Sequence, residues 1–207
     1  MEDNNMAKRE STFINMAVTL FLVTGIAAAA LGFVYDFTKG PIAEAKLKAQ
    51  SEAIKQVLPE FEELGESYKL PAEAGNDSLE FFPALKNGEI VGTAIKTYTK
   101  NGFSGYISIM AGIDTDGNFS GYSVLEHEET PGLGSKMDVW FSNAEKPNQY
   151  VLGKNPNSHN FEVKKDGGDI DAITASTITS RAFLEALKRA YNSYDTESDA
   201  TSGASGK

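Results

Sequence analysis

From Ser11 to Tyr35 the chain carries no charge for 25 residues, and eleven of these are Leu, Ile, Val or Phe. A helix needs about 20 apolar residues to cross a hydrocarbon core. At about −0.3 to −0.6 kcal/mol each, the eleven favour insertion by very roughly −3 to −7 kcal/mol, less the cost of Asn15, Thr19 and Thr24. A cleaved signal peptide opens in the same way, with Lys8 and Arg9 ahead of the run and the small residues Ala27–Ala30 inside it. Here the apolar run continues through Leu31, Phe33 and Val34, so a retained transmembrane helix over 11–35 is expected, after a tail over 1–10.

The spacing then turns helical. Ala45, Ala49, Ala53, Ile54, Val57, Leu58 and Phe61 recur at three- and four-residue intervals. Gly40-Pro41 is expected to end the anchor before this helix, and Pro59 to stop it. Residues 62–77 read as polar and irregular. Strand signals follow at 79–85, 90–98, 106–113 and 119–125, separated by Asn87-Gly88, Asn101-Gly102 and Asp116-Gly117. Such dipeptides favour tight reversals, so the pattern predicts an antiparallel meander. Residues 161–163 read as a short strand, 143–160 as a polar loop with His159 on the surface, and Trp140-Phe141 as core or lid. Ala182, Phe183, Ala186, Leu187, Ala190 and Tyr191 form one helical stripe. Residues 195–207 are Ser/Thr/Gly/Asp-rich and expected to be disordered. The fold class is therefore α+β: a single N-terminal transmembrane helix, then one domain over 36–194 with an antiparallel meander and packing helices.

Charge and composition narrow the chemistry. A formal net charge of −10 and a sequence pI near 4.7 argue against a nucleic-acid partner, which needs a basic footprint. With no Cys, thiol chemistry and iron–sulfur ligation by this chain are excluded. Two His, His127 and His159, make a His-based zinc site a poor expectation, and no metal site is expected. Lys39, Lys46, Lys48 and Lys55 follow the anchor, so the charge count around it leaves orientation open.

Two stretches carry candidate chemistry. In the first, 126–134, polar side chains run into Thr130-Pro131-Gly132-Leu133-Gly134. This is either a solvated strand end and turn or a loop whose glycines let backbone approach a flat ligand. In the second, five of the seven residues from Thr174 to Ser180 carry a hydroxyl, directly before the last helix. A helix start attracts anions through its unpaired N–H groups, so a phosphate could be held or attached there, with Asp171 capping the turn. An ordinary Ser/Thr N-cap has the same appearance. A nucleophilic hydrolase using Ser176 or Thr177 lacks a recognisable neighbouring base.

Asp171-Ala172-Ile173-Thr174-Ala175-Ser176-Thr177 resembles the acceptor motif Asp-x-x-Ser/Thr-Gly-Ala-Thr. That motif belongs to the covalent FMN-binding domain family: the G subunit of the Rnf electron transport complex and the related C subunit of the sodium-pumping NADH:quinone reductase. The resemblance extends over Thr38–Ala45, Gln56–Pro59, Gly102–Ile113 and Leu125–Lys136, and covers roughly residues 8–192. It implies that a flavin transferase transfers FMN from FAD, leaving a phosphoester on Thr177. It also implies a site comprising Asp171, Thr174, Ala175, Ser176, Thr177 and Thr179, with Thr130, Gly132 and Leu133 against the flavin. The domain would lie on the outer side of the cytoplasmic membrane, beside lipid and other Rnf subunits. There it would relay electrons in a complex coupling ferredoxin–NAD electron transfer to ion translocation. Ala175 departs from the motif's Gly and restricts positive φ, and Ser176 departs from its Ala. The competing expectation is a non-redox anchored assembly or binding module with the same fold.

Overall fold

A computed structural model describes residues 12–72 and 77–203, with backbone alone over 199–203. The chain divides into two units, residues 1–47 and 48–207. The expected tail over 1–10 lies outside the described residues.

The first unit is the greater part of helix α1, Phe13–Val57. At 1.5 Å per residue the whole helix extends about 68 Å. Its N-terminal half is long and apolar enough to cross a membrane, and the large side chains from Phe13 to Phe37 are exposed. Thr19 and Thr24 turn their hydroxyls onto the carbonyls of Asn15 and Leu20, at 2.7 and 2.8 Å. This supplies within the helix the partner that lipid does not. Gly40-Pro41 does not end the helix, contrary to expectation: Pro41 lies inside it. Proline removes one backbone donor, and the well-formed turns on either side carry the helix past it.

In the second unit, α1 ends on a six-stranded antiparallel sheet: β1 (Glu63–Leu64), β2 (Tyr68–Pro71), β3 (Ser78–Lys86), β4 (Glu89–Gly102), β5 (Gly105–Asp114) and β6 (Phe119–His127). The order is β1-β3-β4-β5-β6, with β2 also pairing β3. The four meander strands lie where the alternation predicts them. β1 and β2 do not: residues 62–77, expected to be irregular, contribute these two short edge strands. Their pairing uses backbone groups, which leave no trace in side-chain pattern. Asn87-Gly88 turns with φ of 56° and 80°, matching the twist of a two-residue hairpin. At the next hairpin β4 continues through Asn101-Gly102, and the tip is Phe103-Ser104.

Central strand β5 is covered on both faces. Ile107, Ile109, Ala111 and Ile113 belong to the main core, with Phe183, Leu187 and Tyr191 of helix α3 (Thr177–Gly203). On the opposite face Met110 joins Ala53, Ile54, Val57 and Leu58 from the end of α1. The approach there is close: a Cβ on Gly112 would lie 2.0 Å from Val57 O, and one on Gly121 2.6 Å from Val57 Cα. Ser120 Oγ donates to Val57 O at 2.5 Å and so satisfies a helix-end carbonyl.

Two further expectations are corrected. Residues 161–163 form an isolated bridge, Val163 to Ile170, and no strand. Helix α3 continues through Asp195 to Gly203, where composition suggested disorder, and Glu197 Oε2 accepts the Tyr68 hydroxyl at 2.8 Å. Residues 204–207 lie outside the described residues.

Candidate functional site

Between β6 and α3 the chain first passes the Thr130–Gly134 loop and the short helix α2, Met137–Trp140. Half-buried Tyr122 places that helix. Its hydroxyl donates to Met137 O at 2.8 Å and accepts from Phe141 N at 3.2 Å. Burial pushes this phenol up to about 12, so it keeps the proton it donates. Phe141 is fully buried and stacks on Phe183, ring centroids 4.4 Å apart. Trp140 is half-buried and donates Nε1–H to Asp171 O at 2.9 Å. The pair is core with no lid function in its contacts. His159 is exposed, as expected.

The hydroxyl-rich stretch is a turn followed by the start of α3. Ser176 N–H donates to Ile173 O at 2.9 Å, closing a β-turn whose third residue, Ala175, has φ 62°. Ser180 fastens the turn: its Oγ donates to Ser176 O and accepts from Ile173 N, both at 2.9 Å. The five hydroxyls therefore separate by environment. Ser180, Thr179 and Ser176 are buried, at 0%, 1% and 7% exposure. Thr174 is exposed on the outside of the turn. Thr177 is half-buried on the first turn of α3, and its hydroxyl has no hydrogen bond among the described residues.

This helix start faces the Thr130–Gly134 loop across a cleft of about 320 Å³. That is at the small end of ligand pockets. Thr130, Leu133, Ala175, Ser176, Thr177 and Thr179 all line it. Of the residues expected at the site, three are not on its wall. Gly132 shapes the loop, with φ 74° and its N–H on Ser135 Oγ at 3.0 Å. Thr174 turns outward. Asp171 pairs with Lys164 at 3.0 Å, and its backbone holds Asn148 and Trp140. It braces the chain leading into the turn, and among the described residues its carboxylate forms no cap.

Three wall residues were not anticipated, Phe103, Glu129 and Ile178, while Gly134 comes to the wall with the rest of its loop. Phe103 reaches the cleft because the hairpin tip lies one step beyond Asn101-Gly102. Ile178 had a legible signal, being apolar yet out of phase with the α3 stripe. Glu129 is 4% exposed. Its Oε1 accepts Ser104 N–H at 3.0 Å and its Oε2 accepts the Thr179 hydroxyl at 2.7 Å. A Cβ on Gly134 would lie 2.3 Å from Oε2, so only glycine fits beside this carboxylate. The neighbouring His127 accepts Glu129 N–H on Nδ1 at 3.1 Å, leaving Nε2 toward Asp138 at 4.0 Å. Among the described residues no cluster of His, Asp and Glu could hold a metal ion.

The cleft thus combines apolar walls from Phe103, Leu133 and Ile178 with an unengaged hydroxyl and a helix start. A planar apolar ring and an attached phosphate suit such a lining. The FMN-binding domain family matches residues 102–192, a span that runs from the hairpin tip through the loop and the hydroxyl turn. The chain is 33% identical over 203 residues to the G subunit of the ion-translocating oxidoreductase complex of Aliivibrio fischeri, covering 91% of this chain and 93% of that protein. It is 34% identical over 188 residues to the protein of the same name from Vibrio vulnificus, with 84% of each covered. It is 32% identical over 193 residues to the G subunit of the Na(+)-translocating ferredoxin:NAD(+) oxidoreductase complex of Acetobacterium woodii, covering 86% and 90%.

Proposed function

The chain belongs to the family of G subunits of ion-translocating oxidoreductase complexes, and from that premise we propose that it is an electron-transfer protein with FMN held covalently on Thr177. It acts within an Rnf-type complex that couples ferredoxin–NAD electron transfer to ion translocation. The flavin supplies the redox chemistry, and the chain binds and orients it. Phe103, Leu133 and Ile178 would bound the ring, and the free N–H groups of the first α3 turn would face the phosphate.

The observation that carries the attachment site is the state of Thr177. Its hydroxyl is half-buried, unengaged and on the cleft wall. Thr179 and Ser180 use theirs inside the protein. Ser176 is less accessible. In maturation by an FAD-dependent flavin transferase, Thr177 Oγ1 bonds to the FMN phosphorus of FAD. The pyrophosphate bond breaks, AMP leaves and the hydroxyl loses its proton. A covalent tether keeps the cofactor through repeated reduction and oxidation.

Thr177→Ala, co-expressed with the transferase, is expected to lose the FMN mass adduct and the flavin fluorescence that survives denaturation. An adduct of unchanged yield would move the site to Thr174 or Ser176. Flavin loss with unchanged turnover of the complex would favour a non-redox role.

The apolar half of α1 supports a single-pass anchor in the cytoplasmic membrane, in contact with lipid. The domain after it faces the outer side, where large domains are translocated largely regardless of the lysines that follow the anchor. Protease added to spheroplasts is expected to digest the domain, and its full protection there would reverse the orientation.

A further inference from the structure

Glu129 is a buried carboxylate on the wall of the cleft, 4% exposed. No ion pair to it is formed among the described residues. An ionised group in such a place is costly unless donors compensate it. Both oxygens do have a donor, Ser104 N–H at 3.0 Å and the Thr179 hydroxyl at 2.7 Å. The surrounding backbone is shaped to admit this group. Side chains are excluded at two positions: a Cβ on Gly134 would meet Oε2 at 2.3 Å, and one on Gly102 would meet Gly105 O at 2.5 Å and Oε1 at 2.7 Å. The end of β4 and the loop after β6 therefore both present glycine beside one carboxylate that pairs with no cation among the described residues.

Resting on the reading of this cleft as the flavin site, we infer that Glu129 sets the flavin's midpoint potential by holding beside the ring a negative charge that is hydrogen-bonded but paired with no cation among the described residues. Reduction brings an electron from the donor in the complex into the cleft. A nearby negative charge in a poorly solvated wall raises the energy of that reduced side, so the potential falls. The charge acts at the ring, while the same two hydrogen bonds tie the hairpin tip and the first turn of α3 to the loop.

Glu129→Gln separates these two roles. The amide oxygen can accept Ser104 N–H and the amide nitrogen can donate to Thr179 Oγ1, so the ties remain and the charge is lost. Ser180→Ala is the control. It removes the hydroxyl that fastens the same helix start and changes no charge.

The test is a spectroelectrochemical titration at neutral pH of the full chain, flavinylated by co-expression with the transferase and purified in detergent. The expected result is a midpoint above wild type for Glu129→Gln and at wild type for Ser180→Ala, which melts at a lower temperature. A Glu129→Gln midpoint at or below wild type overturns the inference, as does an equal rise in Ser180→Ala. If Glu129→Gln does not accumulate as folded protein, Thr179→Val takes its place. It strips one donor from the carboxylate and is expected to lower the midpoint, and no change or a rise overturns the inference. Wild-type protein without denaturation-stable flavin would bring down the attachment reading and this inference with it. Flavin present with an unshifted Glu129→Gln midpoint brings down this inference alone.

Discussion

Ala175 holds φ 62° at the third position of the turn into α3. Type II turns require this left-handed conformation there, and it favours Gly because a Cβ crowds the carbonyl. The acceptor motif that this stretch resembles has Gly at the position, so the chain bears a local strain that the motif avoids. Ala175→Gly is expected to raise stability by roughly 0.5–1 kcal/mol, the relief of strain outweighing the greater freedom of Gly in the unfolded chain. The measurement is the denaturant midpoint, and a decrease would mean that Cβ contacts at Ala175 outweigh the strain. The hydroxyl cluster shows how far residue identity reaches. Its composition marked the site, but five chemically similar groups were left equivalent. Burial and hydrogen bonding distinguish them, because each partner (Glu129 for Thr179, Ile173 and Ser176 for Ser180) comes from another turn of chain.

Helix α3 is held at its start by an ion pair as well as by the turn. Arg181 binds Asp166 in the short 3-10 helix Lys164–Asp166 through two bonds, Nε to Oδ2 at 2.6 Å and Nη2 to Oδ1 at 2.7 Å. The hydrogen bond from the Arg181 guanidinium holds the Asp166 carboxyl below the ordinary carboxylate value. The folded protein therefore binds this proton less tightly than the unfolded chain. The contribution is present above the ordinary carboxylate range and is lost as pH falls through the lower folded value. Asp166→Asn is expected to melt slightly below wild type at neutral pH and to match it in strong acid. The pair is at the surface, so the effect is small. A gap that persists in acid would assign it to packing. Among the elements, legibility followed the source of stability. The meander and the α3 stripe bury side chains at regular spacing and were read directly. β1, β2 and the α3 extension past Tyr194 rest on backbone pairing and a distant Tyr68–Glu197 contact. The helix through Pro41 shows that a local breaker can be outweighed by the good turns around it.

Across the whole molecule, exposed large apolar side chains are concentrated in the first unit. The exposed large hydrophobic side chains of residues 13–47 all belong to α1, whereas both buried clusters draw on residues from Ala53 onward. A fragment over 48–207 is therefore expected to fold as a soluble domain, giving a cooperative melt and a monomeric elution volume without detergent. Aggregation of the fragment would show that the preceding turns of α1 are needed. The apolar helix, the α+β class and the hydroxyl-rich stretch are properties of contiguous residues: an uncharged run, alternation, and a motif, each stabilised by local geometry and burial period. The cleft is of another kind. Phe103, Glu129, Leu133, Thr177 and Ile178 are brought to one wall by a hairpin tip, a strand end, a loop and a helix start. Glu129 in particular acquires its burial, its donors and its two excluding glycines only when these elements pack, because a side chain's solvation and partners are set by neighbours in space and not along the chain.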